Sequence, residues 1–540
     1  MDSGALALVL HAHLPYVRAT EPNSLEEDWF FQALVECYLP LLETLESAAA
    51  NPHQQPQLTM GTSPTLLSLL ADATLQQRFP LWIQARLGLL NEAPADRREA
   101  ADHLQSTIER HLASWSACDG DLIGRFAALQ QQGVLDLLTC GATHGYLPLL
   151  REHPEAVRAQ LRTAVREHQR LLGERPLGIW LPECAYYEGL DVWMRDAGLR
   201  YAVLDGHGLL HAKPRPRYGV YAPICSRRGV AFFGRDSDAT LQVWSAKDGY
   251  PGDPVYREFH RDLGWDLPPE RIAAHGLPGQ RPLGLKLHRV SDHSAPLDAK
   301  QPYQPHKALA RTREHAQHFL EGRRQQLANL EAGMGTAPLL VAPFDAELFG
   351  HWWYEGPHFL AELFRQGPEQ GVHFTSLRGA LSGIPSLQVC EPCPSSWGRG
   401  GFHDYWLNET NAWIVPEWSK AGQAMVDRCS RGVGSELDLR LLNQAGRELL
   451  LAQSSDWSFI LRSGTTTDLA KERVERHLGR FWQLMAAIDG RNELPDHWLA
   501  EVEADDALFP LIQPTDWARI NGSIAQTQTQ HQPPPQRPRG

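Results

Sequence analysis

Four apolar runs in this chain end on residues that can move protons or grip a polar ligand. "ALALVL" (5–10) leads into His11 and His13, and "LLTCG" (137–141) is followed by Thr143 and His144. "GIWLP" (178–182) hands over to Glu183, and "LLVAPF" (339–344) to Asp345. Two carboxyls brought together could act on a glycosidic bond. A separation of about 5–5.5 Å means retention through a covalent intermediate, and about 6.5–9.5 Å means inversion. Apolar surroundings would raise the pKa of one carboxyl, as a general acid needs. His-x-His at a strand end fits a metal dyad as well as a sugar pocket. The metal reading asks for further ligands at later strand ends, where His144 and Asp345 stand. Plain structural roles compete: Glu183 paired with a rim arginine, Asp345 capping the next helix, histidines that only pack. Asp345 is also followed by Glu347, His351, Trp352, Trp353 and Tyr354. Seventeen tryptophans in 540 residues supply flat apolar faces of the kind that suit the C–H surfaces of sugar rings, although many belong to the core.

These residues need a scaffold that collects strand ends. Apolar strand candidates lie at 5–10, 57–61, 135–140, 177–181, 201–204, 230–234, 283–287 and 338–343, with helical patterns at 26–48, 97–132 and 154–172. Several runs are apolar throughout, as strands buried on both faces are. Alternating strands and helices point to a parallel sheet, most simply a barrel, whose active site gathers at the C-terminal strand ends. The stretch from about 205 to 280 is rich in Gly, Pro, Tyr, Asp and Arg and reads as an inserted lid or substrate-shaping loop. A boundary falls near 385–395, with helical material after it. The Gln/Pro-rich tail from 523 to 540 has the composition of a disordered segment. No internal repeat is present.

Composition narrows the class. Apolar content of 42%, charged content of 21% and a net charge of -13 describe a soluble protein without a basic nucleic-acid-binding face. No apolar run reaches the ~20 residues of a membrane span, and "ALALVL" lacks the flanks of a signal peptide, so a cytoplasmic protein is expected. The eight cysteines are scattered. "CEPC" (390–393) has no second ligand pair at zinc spacing and reads as two loop thiols.

Taken together, the motifs resemble glycoside hydrolase family 57, and within it the branching subgroup. The matching segments are "HAHLPY" (11–16), "GATHGYLPLL" (141–150), "GIWLPECAY" (178–186), "APFDAELFGHWWYEGP" (342–357) and "ETNAWIVPEW" (409–418). "VWSAKDGYPGDPVYREFHRDLGWD" (243–266), "KLHRVS" (286–291), "SSWGRGG" (395–401) and "SSDWSFI" (454–460) add to them, so the resemblance spans residues 5 to about 520. It implies an α/β fold: an incomplete (β/α)7 TIM-like barrel over 1–390 with a helical insertion at about 205–280, and a C-terminal α-helical domain over 391–522. It implies retaining cleavage of an α-1,4-glucan, with no cofactor and no metal, and transfer of the chain to a 6-hydroxyl to make α-1,6 branches in a glycogen- or starch-type polymer. Glu183 would be the nucleophile and Asp345 the acid/base. His11, His13 and His144 would contact the donor sugar. Arg261, Trp397 and Asp456 carry over as substrate contacts, with Gly279 a weaker match. Trp265 and Trp406 are expected glucan platforms. The loop near 236–256 and the Trp-rich seam near 397–418 would exclude water and place the acceptor. The expected partners are glucan donor and acceptor, with no nucleic acid and no membrane, acting on a monomer. The alternatives are a family 57 α-amylase or 4-α-glucanotransferase, a metal-dependent barrel hydrolase or deacetylase, and a silent glucan-binding protein.

Overall fold

The computed structural model describes residues 4–519 apart from 20, 55, 245–248 and 293, with the side chain of residue 496 also outside it. The tail at 523–540 and part of the loop 236–256 lie outside the described residues.

β1 (Ala5–Ala12) has no polar side chain before His11, and it is buried along its whole length. It is flanked by β2 (Leu58–Thr62) and β8 (Leu339–Asp345), with β3 (Leu135–Leu138) beyond β2, all parallel. A fifth strand, β9 (His373–Phe374), pairs with the start of β1. The second sheet runs β10 (Gln388–Val389), β6 (Ile224–Cys225), β7 (Ala231–Gly234), β5 (Tyr201–Leu204), β4 (Gly178–Ile179), antiparallel only between β6 and β7. Two joints connect the sheets. Thr139 bridges to Ile179, and the Asp236 N–H donates to the Val341 carbonyl at 2.8 Å. Parallel pairing through these joints sends the C-terminal ends of the long strands to one rim.

Local sequence explains the elements. Ser63 caps the helix Pro64–Leu70 by accepting from the Leu66 N–H. The helix Pro154–Leu172 starts on proline and ends at Gly173 in the left-handed region, matching the expected 154–172. The expected helix at 26–48 is present, but a π-turn at Leu34–Tyr38 interrupts it. The expected 97–132 divides into Arg98–Ala117 and Leu122–Gln131.

One expected strand does not form. Residues 283–287 belong to neither sheet, because the Asp262 carboxylate takes the Gly284 and Leu285 N–H groups at 2.9 and 3.1 Å, groups a ladder would need. The stretch read as an insertion also contains strands β6 and β7, so part of it is built into the second sheet. After residue 413 come the helices Ile414–Cys429, Glu436–Ala452, Ser455–Ser463, Thr467–Ile488 and Asp496–Asp505. Arg158 of the first-sheet side holds this region by donating to the Asp516 carbonyl at 2.8 Å. No helix among the described residues is long and apolar enough to cross a membrane.

Candidate active site

A cavity of about 500 Å³ opens at the strand-end rim, and Glu183, Asp345, His11, His13, His144, Trp397 and Asp456 all line it. Parallel pairing explains part of that convergence, because His11 stands opposite Asp345 on β8 and opposite Gly61 on β2. Gly61 leaves little room here. A Cβ at this position would come within 3.0 Å of the Trp180 Cβ and 3.3 Å of the His11 ring.

Glu183 sits in the left-handed region at φ 62°, ψ 26°, followed by Cys184 at φ 50°, and His144 has φ 56°. Such non-glycine conformations cost about 1–3 kcal/mol each and persist where the surroundings over-determine them. For Glu183 the surroundings are a short pairing between 183–186 and 395–397. Tyr186 and Ser395 exchange backbone bonds, and the Trp397 N–H donates to the Glu183 carbonyl at 3.0 Å. The Trp397 indole N–H then reaches the Glu183 Oε2 at 2.6 Å.

The histidines form a stack. His13 lies over His144 with centroids 4.0 Å apart and planes 12° from parallel, and His11 stacks on Trp180 at 4.9 Å. His11 and His144 are joined Nε2 to Nε2 at 3.0 Å, so one donates and the other accepts, and His144 Nδ1 meets the Ser455 hydroxyl at 2.8 Å. His13 Nε2 lies 3.1 Å from both Asp456 oxygens. The far end of the chain is seated by a bridge between Gly145 and Ser454 and by the Ser455 N–H on the His144 carbonyl.

These surroundings sort the charges. Burial, reinforced by the neighbouring imidazoles, drives His11 and His144 well below their ordinary values, so both are neutral. Burial opposes charge on His13 too, but Asp456 overcomes it and raises that ring. Asp456 falls to about 2 against its own burial through His13. Glu183 keeps 17% of its side chain exposed to the cavity yet is enclosed by protein, and burial pushes it up to about 7, opposed by the Trp397 N–H. Asp345 is pushed well above the carboxylate range by burial and then by Glu347 and Glu183. The cavity thus holds one acid that ionises near neutrality beside another that keeps its proton, the pattern that separates two carboxyls into two roles.

Residues that carried no role in the sequence reading complete the wall. Glu347 accepts from the His13 backbone N–H at 3.1 Å and the Tyr38 hydroxyl at 2.5 Å. Lys286 sits 4.1 Å over the Phe259 ring and 3.9 Å from Glu36, which also holds Arg257 and His351. Trp29, Trp352 and Phe459 line the opening. Position in sequence could have pointed to two of them: Glu347 lies two residues past Asp345, and Phe459 one helical turn past Asp456.

Four expected substrate contacts do not line this cavity. Arg261 donates to the Leu297 and Asp298 carbonyls and pairs with Asp266. Trp265 is 52% exposed away from the lining. Gly279 stands in a turn at φ 85° with open space about its Cα. Trp406 is buried against Tyr146 at 4.5 Å, so its faces cannot serve as a platform, and the adjacent Tyr405 instead stacks on Phe459 at 5.3 Å.

Two groups of side chains here have donor atoms close enough for a metal: His11, Cys140 and His144, and His13, His144 and Asp456. Several of these donor edges are engaged with one another, His11 Nε2 on His144 Nε2 at 3.0 Å and His13 Nε2 on Asp456 at 3.1 Å.

The chain matches the model of glycosyl hydrolase family 57 over residues 7–275 and that of the 1,4-alpha-glucan branching enzyme C-terminal region over residues 417–517. A 1,4-alpha-glucan branching enzyme of Thermococcus kodakarensis is 32% identical over 512 residues, 89% of this chain and 73% of that protein. The crystal structure of a family 57 branching enzyme from Pyrococcus horikoshii superposes with a TM-score of 0.87 at 31% identity, covering 99% of this chain and 98% of that one. A Thermotoga maritima protein described as a novel alpha-amylase superposes with a TM-score of 0.88 at 35% identity, covering 96% and 99%.

Proposed function

This chain belongs to glycosyl hydrolase family 57, among its 1,4-alpha-glucan branching enzymes, and we propose that the cavity works by retention with Glu183 as nucleophile and Asp345 as acid/base. The enzyme cuts an α-1,4 bond and rejoins the chain through an α-1,6 bond. The observation that supports the assignment of roles is the pairing of Glu183, which titrates near neutrality, with a more strongly protonated Asp345 in one aromatic-walled cavity.

The glycosidic oxygen takes the Asp345 proton as the Glu183 carboxylate attacks the anomeric carbon. The C1–O bond to the leaving chain breaks and a glucosyl ester forms. The 6-hydroxyl of another chain then attacks C1, its proton passes to Asp345, and the ester bond to Glu183 breaks. Water can take the acceptor's place, so branching depends on excluding water and holding the acceptor. The Trp397 N–H fixes one Glu183 oxygen and favours the charged form. His13, raised by Asp456, also favours the Glu183 carboxylate.

In this reading the two sheets form the incomplete (β/α)7 barrel, with β1, β2, β3, β4, β5, β7 and β8 as its staves. The region from 391, described as far as 519, serves as a helical domain that closes the cleft, and the enzyme acts as a cytoplasmic monomer on a glycogen- or starch-type polymer. A second reading, hydrolysis with little transfer, is favoured by the likeness to the protein described as an alpha-amylase. Digestion of amylose separates the two. Branching yields debranchable α-1,6 links with little gain in reducing ends, whereas amylase action yields reducing ends alone. EDTA leaves both readouts unchanged; a loss of activity with chelator would overturn the metal-free mechanism.

A further inference from the structure

We infer that Trp244 and Trp352 form the platform on which the acceptor glucan lies, an inference that rests on the branching reading above. An unbroken chain of rings leads to them from the cavity floor. His11 stacks on Trp180, Trp180 meets Trp397 edge-on at 4.9 Å, and Trp397 lies 6.0 Å from Trp244. Trp244 and Trp352 then meet nearly perpendicularly, 83° apart at 6.4 Å. The inner rings of this series are buried or half-buried, but Trp244 is 37% and Trp352 41% exposed. Trp352 lines the cavity, and Trp244 packs beside it and Trp397 just outside the lining; large indoles left this open are costly in water unless something apolar covers them in use. The C–H face of a pyranose ring fits an indole face, and two indoles at right angles grip a curved chain on two sides.

Their position selects the acceptor over the donor. The donor sugar must place its anomeric carbon at Glu183, with its hydroxyls toward the imidazole stack and Asp456, a flank continued outward by Phe459 and Tyr405. Trp352 stands on the segment that runs out from Asp345, and Trp244 is reached from Glu183 through Trp397. A group beside the acid/base lies on the leaving-group side of the broken bond, the side the incoming 6-hydroxyl must occupy. In the second step the acceptor O6–C1 bond forms, the ester bond to Glu183 breaks and the hydroxyl proton goes to Asp345. Holding the acceptor ring on the indoles raises the chance that this hydroxyl arrives before water.

The test is a double variant, Trp244→Ala with Trp352→Ala, digesting amylose while α-1,6 links and new reducing ends are counted together. The expected result is a fall of about tenfold in the ratio of branches to reducing ends, with Trp244→Phe and Trp352→Phe restoring most of it. An unchanged ratio, or parallel loss of both products, overturns the platform. If the unaltered enzyme makes no α-1,6 links, the branching reading fails. The platform is then judged by maltoheptaose binding to a Glu183→Gln background: affinity about tenfold weaker in the double variant supports it, and equal affinity overturns it.

Discussion

At the scale of single residues, two carboxyls are made unlike by what surrounds them. Replacing Glu183 with Gln keeps an oxygen for the Trp397 N–H and removes the proposed nucleophile. Transfer and hydrolysis should both fall by roughly 10³-fold or more, with an unchanged melting temperature and circular dichroism spectrum. Substantial remaining turnover would mean that Glu183 has another role. The pH profile gives a finer check. Burial raises Glu183 to about 7, and it must be ionised to attack, so kcat/KM should rise with pH through a midpoint near 7. The indole N–H of Trp397 donates to the charged form and so lowers that midpoint. Trp397→Phe removes the donor, and the rising limb should move to higher pH. A limb that stayed in place would show that the hydrogen bond does not set the nucleophile's charge.

At the scale of elements, the π-turn at Leu34–Tyr38 buries all five of its residues, Glu36 among them. The Glu36 carboxylate is held to about 2, against burial, by Lys286, by Arg257 at 2.7 Å and by His351 at 2.6 Å. The loop after Asp345 can press against this turn only because Gly350 has no side chain; an added Cβ would lie 1.7 Å from the Glu36 carbonyl oxygen. Glu36→Gln would strand two buried cations, and a loss of about 3–5 kcal/mol in urea unfolding is expected. A loss under 1 kcal/mol would mean that water reaches the cluster. None of this was visible in the sequence, because "LVECY" sits inside an ordinary helical pattern and its partners lie more than 200 residues away. What was legible follows strand grammar. The long apolar runs became β1, β2, β3, β5, β7 and β8, and His11, His144, Glu183 and Asp345 share a cavity because parallel strands end on one rim. The two-residue strands β6, β9 and β10 carry no period to read, and 283–287 looked like a strand because nothing in it announces Asp262. Arg261, Trp265, Gly279 and Trp406 were inferred from resemblance alone, and the structure puts them off the lining.

At the scale of the whole molecule, the cavity is closed by joining distant parts of the chain. His13 directly follows the first strand and Asp456 comes from a helix 443 residues later. Behind that helix lies a buried cluster the reaction does not use. Glu448 meets His477 Nδ1 at 2.7 Å and, through its other oxygen, accepts from Gln444 at 2.8 Å, while Asp506 accepts from Arg480 at 2.7 Å. Burial lifts Glu448 from 4.5 to about 7 and Asp506 from 3.8 to about 6, and lowers His477 from 6.5 to about 3. The signs oppose one another. The folded carboxyls keep protons that the unfolded chain has already released, so their stabilisation is complete below pH 4 and is lost as pH rises toward 7. His477 acts in reverse: the unfolded ring gains a proton below 6.5 that the folded ring refuses, so stability is lost as pH falls toward 3. Glu448→Gln removes the larger carboxyl contribution and leaves a side chain that can still face His477 and Gln444. Between pH 5 and 7.5 the unaltered protein should therefore lose more melting temperature than the variant, with the gap between them shifting steadily in the variant's favour. Parallel curves would mean that Glu448 titrates in the folded enzyme as it does in the unfolded chain and contributes no proton-linked contact to the docking of the C-terminal helices.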